Sequence, residues 1–206
     1  MEKRLTFAID VDEVLRSLLK NMVTLYNENF GENLDVNDVK DFVVENSFPK
    51  IKEVTGESPS KWFFQDHGEE LFYKSEAFPN IKQDIETLKK YGDVIIVTYQ
   101  KSYRNKIDTL NWLEEHGIVP DGICFIKNKT LLHTDFLIDD NDWNFLDSNA
   151  KCGILIDAPY NMDVSLEELW EKTNCSEMHR FASLHEFVKW FVREIEWSKN
   201  YIEHYV

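Results

Sequence analysis

FAIDVDEVL, running from Phe7 to Leu15, places two aspartates at the end of a short apolar run, Asp10 and Asp12, with only Val11 between them. The preceding residues, LTFAI from Leu5 to Ile9, are apolar apart from Thr6, as in a strand covered on both faces. Residues two apart on an extended chain point to the same side, with a rise of roughly 6.6 Å between them. Asp10 and Asp12 therefore address one small volume just beyond the strand. Paired carboxylates there hinder burial and suit chemistry.

Working outward, further short apolar runs read as strands: Asp93 to Thr98 (DVIIVT), Gly122 to Ile126 (GICFI), Asp135 to Asp139 (DFLID) and Gly153 to Asp157 (GILID). Amphipathic stretches lie between them, among them Ile81 to Tyr91 and Tyr103 to His116, with Gly117 as a stop signal after the latter. This alternation predicts an α/β fold, a parallel sheet with helices on both sides. Residues 16–74 break the rhythm. They show helical spacing (Leu15, Leu18, Leu19, Met22, Leu25, Tyr26) and an aromatic-rich segment, WFFQDHGEELFY from Trp62 to Tyr73. We expect a mostly helical lobe over 16–74 inserted into an α/β core made of 1–15 and 75–206. The aromatics Trp62, Phe63, Phe64, Phe72 and Tyr73 are expected in the lobe's own core rather than on a base-stacking platform.

Bulk properties narrow the function. A chain of 206 residues with 43% hydrophobic and 14% aromatic residues has the composition of a globular protein. No apolar run approaches the length of a membrane span, and the amino terminus meets charge too soon for a secretory signal. Cys124, Cys152 and Cys175 are odd in number and widely spaced, so neither a disulfide framework nor a zinc ribbon is expected, and a cytoplasmic location is. With 38 acidic against 23 basic residues the net charge is −15. Such a surface disfavours nucleic acid and anionic membranes, which are held through Lys and Arg. A small phosphorylated metabolite remains a compatible partner, since one lysine and a divalent ion neutralise a single phosphate locally.

Ligands of open α/β sheets gather at the carboxyl ends of the strands. The candidate strands end there in Asp10 and Asp12, in Thr98, and in Asp139 and Asp140; Lys129 follows the third strand in KNKT. So many carboxylates converging on one place repel each other, and an all-oxygen donor set points to Mg²⁺ as the ion that resolves the conflict.

IDVDEV, VIIVT, the KT of Lys129 and LIDD, in that order, resemble the four motifs of the haloacid dehalogenase superfamily of phosphohydrolases. KTLLHTDFLIDDN, ILIDAPYN and RFASLHEFVKWF further resemble the closing segments of the 5'(3')-deoxyribonucleotidases (cytosolic type C 5'-nucleotidases). The resemblance implies a Rossmann-like core with a helical cap and a Mg²⁺-dependent phosphomonoesterase acting on deoxyribonucleoside monophosphates. Asp10 would be the nucleophile that forms an aspartyl-phosphate, and Asp12 the general acid and base. Thr98 and Lys129 would hold phosphate oxygens. The metal would lie between Asp10, the backbone carbonyl of Asp12 and one of Asp139 or Asp140. Phe42, followed by Val43, stands where an aromatic pair stacks on the base, and Tyr99 with Gln100 where a small hydroxyl residue helps hold substrate. Glu13 occupies a position that is often glycine, and Asn141 one that is often arginine.

Two rival functions stand beside this one: the same chemistry on another small phosphate ester, such as a sugar phosphate, and a non-catalytic binding protein on the same fold. The six histidines show no metal-ligand spacing. In the C-terminal stretch Phe187, Trp190 and Phe191 recur at helical spacing, which suits packing on the protein's own core, with a homodimer contact as the alternative.

Overall fold

The computed structural model describes residues 4–146 and 148–205, and their side chains as far as Ile195. The expectations that touch residues 1–3 lie outside this range, as do those for side chains beyond Ile195. The chain begins with β1 (Leu5–Ile9) and then turns helical through α1 (Leu18–Phe30), α2 (Val44–Ser47), α3 (Pro49–Thr55), α4 (Pro59–Lys61) and α5 (Gly68–Phe72). It continues with α6 (Ile81–Leu88), β2 (Gly92–Thr98), α7 (Tyr103–Glu115), β3 (Gly122–Phe125), β4 (Phe136–Asp139) and β5 (Cys152–Ile156). Last come α8 (Leu166–Trp170), β6 (Glu177–Phe181) and α9 (Leu184–Tyr205).

Among the described residues six strands form one parallel sheet in the order β3-β2-β1-β4-β5-β6. This is the α/β architecture that the alternation of runs predicts, with one strand more. β6, EMHRF, lies at the sheet edge and carries no apolar run, and only Met178 within it is buried. Its polar composition hid it from the sequence reading.

Alternation along β1 shows how the sheet is covered. Phe7 and Ile9 point into a cluster with Ile85 and Leu88 of α6, Trp112 of α7, and Phe187 and Phe191 of α9. Ala8, between them, points into a second cluster with Val97, Leu137, Phe145, Leu155 and Leu169. The period-two pattern of a strand thus feeds both faces. Phe187 and Phe191 pack on the chain's own core, and Trp190 lies partly buried against it. The close pairing of β1 and β2 needs Gly92, because a Cβ there would meet the Leu5 carbonyl oxygen at 2.3 Å. Gly117, at φ 62°, ends α7 in the left-handed conformation that glycine tolerates.

The helices α1 to α5 and the segments joining them hold an apolar cluster of their own, formed by Leu18, Leu19, Met22, Val23, Tyr26, Phe48, Ile51, Trp62, Phe63, Leu71 and Phe72, among others. Phe64 packs against it from the side, whereas Tyr73 is exposed and does not join it. Chain exit and return lie side by side: the Ser17 N–H donates to the Glu76 carbonyl at 2.9 Å and the Phe78 N–H to the Leu15 carbonyl at 2.9 Å.

Candidate active site

Strand order decides what meets at the carboxyl edge. β1 lies between β2 and β4, with Ile9 in register with Ile96 and with Ile138. The residues that end these three neighbours, Thr98, Asp10 and Asp139, are therefore brought side by side. The Asp10 N–H donates to the Ile138 carbonyl at 2.9 Å, which fixes the backbone at the exit of β1.

Asp10, Asp139 and Asp140 are all buried, and each places a carboxylate oxygen within 4.8 Å of the others. Lys129, itself buried, donates to Asp10 Oδ1 at 2.7 Å and to Asp139 Oδ2 at 2.5 Å. Asn144 Nδ2 donates to both oxygens of Asp139, at 2.9 and 3.0 Å, and the Asn141 N–H donates to Oδ1 at 3.0 Å. On the far side the Tyr160 hydroxyl donates to Asp140 Oδ2. Asn161 Nδ2 holds the Asp140 backbone carbonyl at 2.7 Å.

The electrostatics follow from this crowding. Burial pushes Asp10 up to about 7, with Asp139 and Asp12 adding to the push and Lys129 opposing it. Asp140 is held well above the usual carboxylate range by burial and then by Asp139 and Asp10, against the Tyr160 bond. Burial alone would lower Lys129, yet the Asp10 and Asp139 carboxylates outweigh it and keep the ammonium charged. Ionising all three carboxyls against one ammonium would leave two negative charges uncompensated. A divalent ion with a preference for oxygen fits that donor set and that deficit.

Asp12 faces elsewhere. Its Oδ1 accepts from Arg16 Nε at 2.6 Å and its Oδ2 from Gln100 Nε2 at 3.0 Å, so its side chain is not part of the three-carboxylate group. Glu13 sits in the left-handed region at φ 56°. Its carboxylate accepts from the Leu19 N–H at 2.5 Å in the first turn of α1. Ser17, at the cap position, makes no side-chain capping bond. Burial pushes Glu13 up to about 7, opposed by the backbone bond to Leu19.

Phe42, 48% exposed, reaches the site indirectly: its ring meets Tyr160 edge-on at 5.4 Å and Trp143 at 6.4 Å. Tyr99 follows Thr98 and is 49% exposed. The sequence reading missed Arg16, Gln100 as a partner of Asp12, Asn144 and Tyr160. Of these only Tyr160 carried a signal, through its place in ILIDAPYN. Of the histidines, His179 on β6 offers a nitrogen within 4.8 Å of donors from Cys152 on β5 and Glu177 on β6. That group lies toward the amino-terminal end of β5, away from the carboxylates, and burial pushes the Cys152 thiol up to about 12.

The sequence pattern of the family described as "5' nucleotidase, deoxy (Pyrimidine), cytosolic type C protein" matches residues 4–195. The chain belongs to this family. A relative within reach of alignment is the 5'(3')-deoxyribonucleotidase of Clostridium acetobutylicum, 31% identical over 158 residues, which span 76% of this chain and 83% of that one. The type C nucleotidases are phosphatases, and the chain is an enzyme of that class. Solved structures agree on the fold. A haloacid dehalogenase-like hydrolase from Streptococcus pneumoniae superposes with a TM-score of 0.57 at 17% identity, covering 93% of this chain and 100% of that one. An L-2-haloacid dehalogenase superposes at 0.54 and 12% identity, covering 93% and 99%.

Proposed function

We propose that this type C nucleotidase hydrolyses deoxyribonucleoside monophosphates with Mg²⁺, through an aspartyl-phosphate on Asp10. The observation that carries the reading is the buried trio of carboxyls Asp10, Asp139 and Asp140 beside the single ammonium of Lys129. Asp10, the Asp12 backbone carbonyl and one of Asp139 or Asp140 would hold the ion. When bound, it screens carboxylate from phosphate and orients the phosphoryl group.

The chain's own residues do the rest. Asp10 attacks phosphorus in line, which splits hydrolysis into two easier displacements. Asp12 gives a proton to the leaving oxygen and later takes one from the attacking water. Thr98 and Lys129 hold phosphate oxygens, and Lys129 keeps Asp10 from repelling them. Phe42 and Tyr99 face the nucleoside. Residues 16–74 act as a cap over a core of 1–15 and 75–206; the separate apolar cluster of those helices and the adjacent exit and return points support that division.

Phosphate release across deoxyribonucleotides, ribonucleotides and sugar phosphates, with Mg²⁺ and with chelator, tests the reading. Turnover should be strongest on dUMP or dTMP, vanish with chelator, and be absent in Asp10→Asn. Turnover confined to sugar phosphates would discard the substrate and keep the mechanism; activity that survives in Asp10→Asn would discard the nucleophile.

A further inference from the structure

Arg16 is fully buried, yet it is an arginine in the apolar run VLRSLL. Its guanidinium reaches three parts of the molecule at once. Nε donates to Asp12 Oδ1 at 2.6 Å, Nη1 to the Phe72 carbonyl of α5 at 2.5 Å, and Nη2 to Thr109 Oγ1 of α7 at 3.1 Å. Its flat faces lie over Phe72 and Trp112, 5.1 and 5.5 Å from the ring centroids. Burying such a charge is costly, and an apolar side chain would fill the space without that cost. The only carboxylate to which Arg16 makes an ion pair, among the described residues, is Asp12.

Gln100 holds the other Asp12 oxygen, so both oxygens are held. A carboxylate offers about four lone-pair sites, and these two bonds leave the rest for substrate. The planar fork matters: an ammonium is a point charge and cannot meet Asp12, Phe72 and Thr109 in fixed directions. We infer that Arg16 is a positioning residue that aims the Asp12 carboxyl at the leaving oxygen and, through Phe72, ties that aim to the helical lobe. The inference rests on the reading of Asp12 as acid and base given above.

It has a signature that mere structural support lacks. In the first displacement a proton passes from the Asp12 carboxyl to the ester oxygen as the bond from that oxygen to phosphorus breaks and the Asp10 Oδ–phosphorus bond forms. An alkyl leaving group such as a nucleoside needs that proton, whereas p-nitrophenolate is a stable anion and leaves without it. Loss of aim therefore slows the alkyl ester selectively.

The experiment is kcat and KM on dUMP and on p-nitrophenyl phosphate for wild type, Arg16→Lys, Thr109→Val and Asp12→Asn, with thermal melts to show which variants are folded. Arg16→Lys should lose about thirtyfold or more in kcat on dUMP, with KM within about threefold, and under about threefold on the aryl ester. Thr109→Val, which releases only the Nη2 anchor, should show the same split at about three- to tenfold, and it decides the matter if Arg16→Lys does not fold. Asp12→Asn should show the split in full. Equal losses on both esters in the Arg16 and Thr109 variants, with the split kept by Asp12→Asn, would overturn the role of Arg16 alone. An Asp12→Asn enzyme without the split would overturn the reading of Asp12 and the inference with it.

Discussion

On the metal-binding role proposed for it, Asp140 shows how function and stability conflict at a single residue. It is buried beside Asp139 and Asp10 with Tyr160 as its side-chain hydrogen-bond donor, and its carboxyl is held well above the ordinary value of 3.8. Because the folded-state value exceeds the unfolded one, its contribution to stability is intact below about pH 4 and is lost as pH rises through the folded value. Metal-free protein should thus weaken on going from acid to neutral pH. Asp140→Asn should raise the Tm of metal-free protein at pH 8, by on the order of 2 kcal/mol or ~5 °C, and change little at pH 4. Added Mg²⁺ should stabilise wild type more than the variant. A melting series over pH with and without Mg²⁺ checks all three, and an unchanged or lower Tm at pH 8 would contradict the account.

The start of α1 is an element-scale case. Glu13 does the capping that Ser17 does not, from a left-handed backbone that favours glycine. Glu13→Ala loses the cap and keeps the strain, whereas Glu13→Gly loses the cap and relieves the strain. The glycine variant should be more stable than the alanine variant by about 1 kcal/mol, read from chemical denaturation. At the start of β2, Gly92→Ala drives a Cβ against the Leu5 carbonyl, a backbone atom that cannot swing aside. A loss of about 2–3 kcal/mol is expected, visible as a lower denaturant midpoint.

Elements of this kind also show what a sequence reveals. β1, β2, β4 and β5 were legible because both of their faces are covered, so burial writes itself as runs dominated by Val, Ile, Leu and Phe. β6 was not, because an edge strand packed on one side needs no such run. The site divides in the same way. Asp10, Thr98 and Asp139 stand at ends of strands, where position alone announces them. Arg16 is recognised only through partners far along the chain, Phe72 and Thr109, and a lone basic residue among leucines gives no sign of them.

At the scale of the whole molecule, the segment between β1 and β2 meets the carboxylate group through aromatic rings. Phe42, from the segment between β1 and β2, rests on Tyr160, whose hydroxyl binds Asp140. Phe42→Ala should raise KM for a nucleoside monophosphate roughly tenfold and leave KM for p-nitrophenyl phosphate nearly unchanged, since stacking on a base is worth about 1–3 kcal/mol. A parallel rise on both substrates would assign Phe42 to closing the lobe rather than to holding the base. The neighbouring exit and return of the chain have a kinetic consequence as well. The central pairing of β1 with β2, Leu5 with Gly92 through Ile9 with Ile96, forms only after everything between the two strands has been looped out, a slow kind of contact. Helices α1 to α5 have an apolar cluster of their own, and wherever that cluster forms first, the meeting of Leu15 with Phe78 shortens the loop in advance, as a splint would.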